Sequence, residues 1–211
     1  MKNENYAVIT GDIRQFTLLG NSERKNLIEK TEILLKSWVA KPTDAEIFRG
    51  DSYQLILDDI QLTLFRSVQL ICWFIKNSPV KSKVNLSTKI AVGIGTIAYK
   101  GKTVLDSDGI AFHESGRYFD KMGDDQRLVI RTSNEELNQQ IEIILTYINL
   151  ILCQWTVSQA RVLFLTIEGY NQDKTAVELG VVQSTVNGRL KAANWKEVEK
   201  GLLYIAKLIT N

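Results

Sequence analysis

Every strand-like segment of this 211-residue chain lies before residue 132, and from Thr156 to the end only helical periodicity remains. That switch constrains the fold more than any single motif: an α+β unit comes first and a small all-helical unit follows it. The implied organisation is a sheet domain over residues 1–133, a connecting helix over 134–154 and a helical domain over 155–211. A chain of this length buries a proper core and accommodates a medium domain with a small appendage.

Within the first unit, the apolar run YAVIT belongs to a buried strand over residues 5–12. Leu27, Leu34, Leu35 and Trp38 then recur at helical spacing over 23–39, with Asn21-Ser22-Glu23 as the expected cap. FRGDSYQLIL sits in a hairpin over 45–57, since Gly and Asp tolerate the positive backbone angles of a tight turn. A helix over 60–76 carries Leu64, Val68, Ile71 and Ile75 on one side and is closed by Pro79. TKIAVGIGTIA predicts a central strand over 88–98, its glycines marking close approach of another segment or a ligand. A helix over 109–122, a strand over 127–131 and a long helix over 134–153 complete the unit. A hairpin between two helices, with a further strand joining, is the βαββαβ order of a ferredoxin-like sheet with helices on one face.

In such a sheet the first strand lies beside the hairpin, at the usual strand spacing of about 4.8 Å. Asp12, at the end of YAVITGD, therefore meets Asp51 of the hairpin turn. The plain reading of both is turn chemistry. The chemical reading is that two close carboxylates repel unless a cation lies between them. Mg²⁺ or Mn²⁺ suits such a pair, because Mg²⁺ keeps several waters and is commonly shared between one or two carboxylates and substrate phosphates. The loop Ile13, Arg14, Gln15, Phe16 and Thr17 leads toward a helix, so its backbone amides are placed to receive phosphate oxygens.

Composition narrows the alternatives. The only histidine is His113, and the two cysteines sit far apart inside LICWF and ILCQW, so a structural zinc site and a disulfide framework are not expected. IEIILTYINLILC is interrupted by Glu142, Thr146 and Asn149 and is too short for a membrane span. MKNENYAVIT lacks a basic region followed by a long apolar core, so no signal peptide and a cytoplasmic location are expected. A net charge of +2 advertises no nucleic acid by itself.

The motifs carry a resemblance. GDIRQFT resembles the first metal and phosphate segment of class III nucleotide cyclases, FRGDSYQLIL their second metal motif, and KIAVGIGTI the strand that follows. DGIAFHESGRYF resembles their helix carrying an Asn and, four residues later, an Arg; those positions are His113 and Arg117 here. The whole chain is similar to the SatD family: a GDI segment, a Gly-Asp-x-Tyr-Gln segment, an IGIG strand, an Asp-Gly-x-Ala-Phe helix start and a carboxy-terminal helix-turn-helix. The resemblance implies a cyclase-like domain with Asp12 and Asp51 as metal ligands, residues 13–17 around a nucleoside triphosphate, and His113 and Arg117 stabilising the transition state. The residue-level alternatives are a packed or capping His113, an Arg117 paired with Glu114 or Asp120 on its own helix, and Asp108 as that helix's cap.

The tail NQDKTAVELGVVQSTVNGRLKAANW has helix-turn-helix punctuation: Ala176 at the crossing, Gly180 at the turn, and Val177, Leu179, Val181 and Val186 as shared core. It resembles the helix-turn-helix of sigma-factor region four. Gln183, Ser184 and Thr185 then open the second helix toward base edges of double-stranded DNA, with Asn187, Arg189 and Lys191 beyond. Residues 181–196 hold three basic side chains and no acidic one. Three functions fit these features: a dimeric DNA-binding regulator with a metal-nucleotide domain, an active nucleotidyl cyclase or transferase, and a non-catalytic protein-interaction module.

Overall fold

The computed structural model describes residues 5–79 and 83–210. Among these it is a mixed α+β structure built on one five-stranded sheet. In chain order the strands are β1 (Tyr6–Arg14), β2 (Ala45–Phe48), β3 (Ser52–Leu57), β4 (Ser87–Gly95), β5 (Ile97–Tyr99), β6 (Asp108–Gly109) and β7 (Leu128–Arg131). The helices are α1 (Asn21–Lys36), α2 (Ile60–Lys76), α3 (Ile110–Phe119), α4 (Glu135–Leu152), α5 (Val157–Ile167), α6 (Gln172–Leu179), α7 (Gln183–Ala192) and α8 (Trp195–Thr210). The main sheet has the order β2-β3-β1-β4-β7, antiparallel except for the parallel pair β4 and β7. β5 and β6 form a separate small ribbon.

The first strand thus lies beside the hairpin, with Gly11 opposite Tyr53 and Asp12 opposite Ser52. Arg49 and Gly50 take the positive φ angles of the turn, 54° and 93°, rather than Gly50 and Asp51. α1 starts two residues earlier than the spacing suggests, because Gly20 is its cap and Glu23 accepts from the Gly20 N–H at 2.9 Å. The expected strand over 88–98 divides at Gly95, and its last residues join the β5–β6 ribbon.

Side chains of β1 alternate between two buried faces. Ala7, Ile9 and Ile13 enter the main core, against residues of α1, α2 and α4. Val8 faces the other way, into a cluster with Ile56, Val104, Ala111 and Phe112. The expectation of helices on one face is therefore corrected, since α3 covers the opposite side of the sheet. Gly93 permits this: a Cβ there would stand 2.0 Å from the Ala111 carbonyl oxygen, so only a glycine lets α3 approach β4 so closely.

α2 departs from its one-sided pattern too. Leu64, Val68, Leu70, Ile71, Cys72, Phe74 and Ile75 are all buried, around most of its circumference. Its outer side is covered by α5 and α8: the Trp73 and Phe164 rings lie 5.6 Å apart, those of Phe65 and Trp195 6.2 Å apart. A helix apolar nearly all round belongs inside the molecule. The main core accordingly runs from the sheet through α2 and α4 into Ala160, Leu163, Val198 and Leu202. No helix among the described residues is long and apolar enough to cross a membrane.

Candidate functional site

The ends of β1, β3 and β4 meet at one edge of the sheet, and the packing of a tyrosine fixes how. The Tyr53 ring lies over Gly11, where a Cβ would be 2.3 Å from its Cζ. Tyr53 and Thr88 hydroxyls are 2.6 Å apart, and Thr88 Oγ1 donates to the Asp12 carbonyl at 2.7 Å. The glycine of the first Gly-Asp pair thus makes room for a residue of the second motif, so the two acidic segments are locked in register.

Beyond that lock, a cleft of about 610 Å³ opens, lined by Asp12, Asp51, Lys89, Asp120 and Asp124 together with the loop over residues 13–17. Asp12 Oδ1 accepts from Ser52 Oγ at 2.9 Å. Burial raises the Asp12 pKa above its ordinary value of 3.8; the Ser52 hydrogen bond opposes this, the Asp51 charge adds to it, and Lys89 opposes it. The Asp51 charge, in the same cleft, therefore works against ionisation of Asp12.

The loop supplies less than its five residues suggest. The Ile13 N–H is taken by the Asp51 carbonyl at 3.0 Å, and Leu18 and Leu19 bond back to Gln15 and Phe16 in a single 3₁₀ turn. That leaves the N–H groups of Gln15, Phe16 and Thr17 as its donors. Other groups of the loop are engaged: Gln15 Oε1 accepts from the Asn85 N–H at 2.8 Å, the Phe16 side chain is buried in the core, and the Thr17 main-chain carbonyl accepts from Arg24. Arg14 Nη2 pairs with Asp124 Oδ1 at 3.3 Å. The same carboxylate oxygen holds Lys89 Nζ at 3.1 Å.

Neither His113 nor Arg117 lines this cleft. His113 Nε2 lies 2.7 Å from Asp108 Oδ1 of β6 and Arg117 lies 3.5 Å from Glu114 on α3, so both are engaged away from the cleft. Asp108 is not the cap of that helix. Gly109 holds the cap position with no side-chain bond, because pairing in the β5–β6 ribbon leaves the Asp108 carboxylate reaching forward to His113.

Lys89 and Asp124 escape the sequence reading for different reasons. Lys89 is a charge in an otherwise apolar strand and sits directly opposite Asp12, a signal that strand register carries. Asp124 arrives through the fold of the Gly123–Gln126 turn, which no periodicity announces.

As a metal centre the cleft is sparse. No three His, Cys, Asp or Glu side chains among the described residues come together as ligands. Two carboxylates with a neighbouring hydroxyl fit an oxygen-loving ion that takes its remaining ligands from water and phosphate, and they do not fit an all-protein cage.

The second candidate surface is the α6–α7 pair. α6 ends at Gly180 in the left-handed region, φ 63°, and the Val181 N–H returns to the Ala176 carbonyl at 3.0 Å. Val162, Ala176 and Val186 form the small core beneath, joined by Leu179, Val181 and Leu190. Val177 is 84% exposed and takes no part, which corrects its place in the expected core; it stands on the outer face of the short α6. Gln183, Ser184 and Lys191 are exposed, whereas Thr185, Asn187 and Arg189 are half-buried. Gln183 Nε2 donates to Gln172 Oε1, bracing the start of α7 against the start of α6.

Compared with protein-family models, curated proteins and solved structures, the chain matches none.

Proposed function

We propose that this protein is a DNA-binding regulator whose amino-terminal domain takes up the phosphates of a nucleotide together with a divalent ion. The observation that carries the reading is the convergence of Asp12, Asp51, Lys89 and the loop over 13–17 on one cleft. In this reading the strands β4-β1-β3-β2 are a ferredoxin-like, cyclase-like sheet to which α3 and β7 are added. Asp12 and Asp51 hold Mg²⁺ or Mn²⁺, and the N–H groups of Gln15, Phe16 and Thr17 meet phosphate oxygens. A binding role fits better than cyclisation, because His113 and Arg117 are engaged away from the cleft.

α6 and α7 then act as a helix-turn-helix in which α7 presents Gln183, Ser184 and Lys191 to the major groove. A single module of this size binds weakly, and a homodimer supplies two half-sites spaced about 34 Å apart.

The test is thermal stability with ATP, GTP, CTP or UTP, each with and without Mg²⁺ or Mn²⁺, while pyrophosphate release is followed. The expected outcome is a rise in Tm that needs both nucleotide and metal, disappears in Asp51→Asn and is accompanied by no pyrophosphate. Metal-dependent pyrophosphate release lost in Asp51→Asn would make the chain a nucleotidyl cyclase or transferase instead. No stabilisation by any nucleotide would sink the binding reading. For DNA, retardation of duplex at low salt, weakened steeply by added salt and by Lys191→Ala, is expected.

A further inference from the structure

Three cations converge on one short surface turn. Lys89 Nζ and Arg14 Nη2 share Asp124 Oδ1, at 3.1 and 3.3 Å. Arg14 Nη1 and Arg127 Nη1 both donate to the Asp124 carbonyl at 3.1 Å, and Lys89 Nζ also donates to the Met122 carbonyl at 3.2 Å. The partners are unequal. Lys89 and Arg14 are rooted in β4 and β1 with side chains 20% and 30% exposed, while the Asp124 side chain is 88% exposed. Two held cations thus aim at one oxygen of a carboxylate supplied by the surface turn, at the mouth of the cleft that Asp12 and Asp51 line.

An exposed ion pair of this kind adds little to stability. What it does is fill a position. A phosphate carries more charge than a carboxylate and presents more acceptor oxygens, and Arg favours it through its fork of donors.

We infer that Lys89 and Arg14 form the binding pair for a nucleotide's phosphate, and that Asp124 is a tethered carboxylate occupying that pair until phosphate displaces it. The inference rests on the proposed phosphate ligand and assigns its regulation. The intramolecular competitor is always present at a high effective concentration, so it raises the concentration of phosphate needed to fill the site. The Asp124 pKa lies below its ordinary value, through the Lys89 hydrogen bond, the Lys89 charge and then Arg14, as suits a carboxylate held by cations.

The test is calorimetric titration of sodium pyrophosphate, in EDTA and low salt, into the wild type, Asp124→Asn, Lys89→Gln and the double variant. Asp124→Asn keeps an oxygen acceptor but removes the competing charge. Its expected effect is a gain in pyrophosphate affinity of about threefold to fivefold, the order set by displacing an exposed ion pair. The gain should vanish in the double variant, and far-ultraviolet circular dichroism checks that each variant is folded. Unchanged or weaker binding in folded Asp124→Asn would overturn the inference, as would a gain that survives the loss of Lys89. Failure of the two proposals is distinguishable. Metal-dependent ATP stabilisation that needs Asp51, with no effect of Asp124→Asn on pyrophosphate, leaves the nucleotide reading and removes the gate. The gain in Asp124→Asn without any metal-dependent ATP stabilisation leaves an anion gate and removes the metal nucleotide.

Discussion

Asp12 is where the strand, the hairpin and the cleft meet, and its ionisation works against the fold. Because its folded pKa is raised above 3.8, the folded protein binds this proton more tightly than the unfolded chain does. Stability from this residue is therefore greatest below pH 3.8 and is lost as pH rises through the folded value. Asp12→Asn keeps an acceptor for Ser52 and removes the charge. In EDTA at pH 7 the variant should melt higher than the wild type, and the difference should close as pH falls toward 3.8. Mg²⁺ with nucleotide should reverse the ranking, since only the wild type retains both carboxylates. Scanning calorimetry across pH decides this, and a variant no more stable at pH 7 would refute the account. One residue earlier, Gly11→Ala drives a methyl to within 2.3 Å of Tyr53 Cζ. The ring must leave its place and its bond to Thr88, so a loss of about 1–3 kcal/mol is expected from urea unfolding. The carboxylate pair was legible in the sequence because each residue follows a glycine next to an apolar run, Asp12 after YAVIT and Asp51 before SYQLIL. Asp124 was not, because only the fold of its turn brings it back to Lys89 and Arg14.

At the scale of elements, α4 does for the sheet edge what a sixth strand would do. Asn149 Oδ1 accepts from the Arg127 and Leu128 N–H groups at 2.8 and 2.9 Å, and its Nδ2 donates to the Leu128 carbonyl at 2.9 Å. Asn138 repeats the pattern on Thr132, accepting at 2.8 Å and donating at 2.9 Å. The two residues are three helical turns apart and so lie on one face of α4. Edge strands left open invite pairing with other chains, and side-chain amides occupy this edge at its two ends, Leu128 and Thr132. In the sequence Asn149 reads only as an interruption of an apolar run; its partners become visible once β7 lies alongside α4. Asn149→Leu preserves volume and leaves buried N–H and C=O groups without partners. An unsatisfied buried group costs about 1–3 kcal/mol, so a fall in the urea midpoint equivalent to at least about 2 kcal/mol is expected, with an unchanged slope. Asn149→Asp should also destabilise, because a carboxylate cannot donate to Leu128. A neutral outcome for both would mean that water satisfies the edge and that the amides are incidental.

The whole molecule departs most from the sequence picture in how its parts join. Helices over 157–167, 172–179, 183–192 and 195–210 fall where helical periodicity runs, and α2 keeps its expected bounds, because short apolar repeats report local structure. Periodicity does not report which helix covers which, and the burial of α2 on nearly all sides was hidden for that reason. Arg66 binds Glu168 at 3.0 Å, and Trp155 Nε1 donates to the Ala193 carbonyl at 2.9 Å. With the apolar contacts of α2, these ties carry the core from the sheet into α5 and α8, while α6 and α7 rest on the smaller cluster around Val162. A shared core predicts shared cooperativity. Trp195→Ala removes a buried indole from Phe65 and should cost about 3–5 kcal/mol. If the core is one unit, native-state hydrogen exchange should show protection in β1 and β4 falling by the same free energy as protection in α5. Loss confined to α5 and α8, with the sheet unchanged, would instead define two folding units joined by α4. The distinction bears on the proposed regulation: α2 packs on the sheet that carries Asp12 and also holds α5 beneath α7, so a cooperative core is the physical route by which occupancy of the cleft would alter the proposed DNA-reading surface.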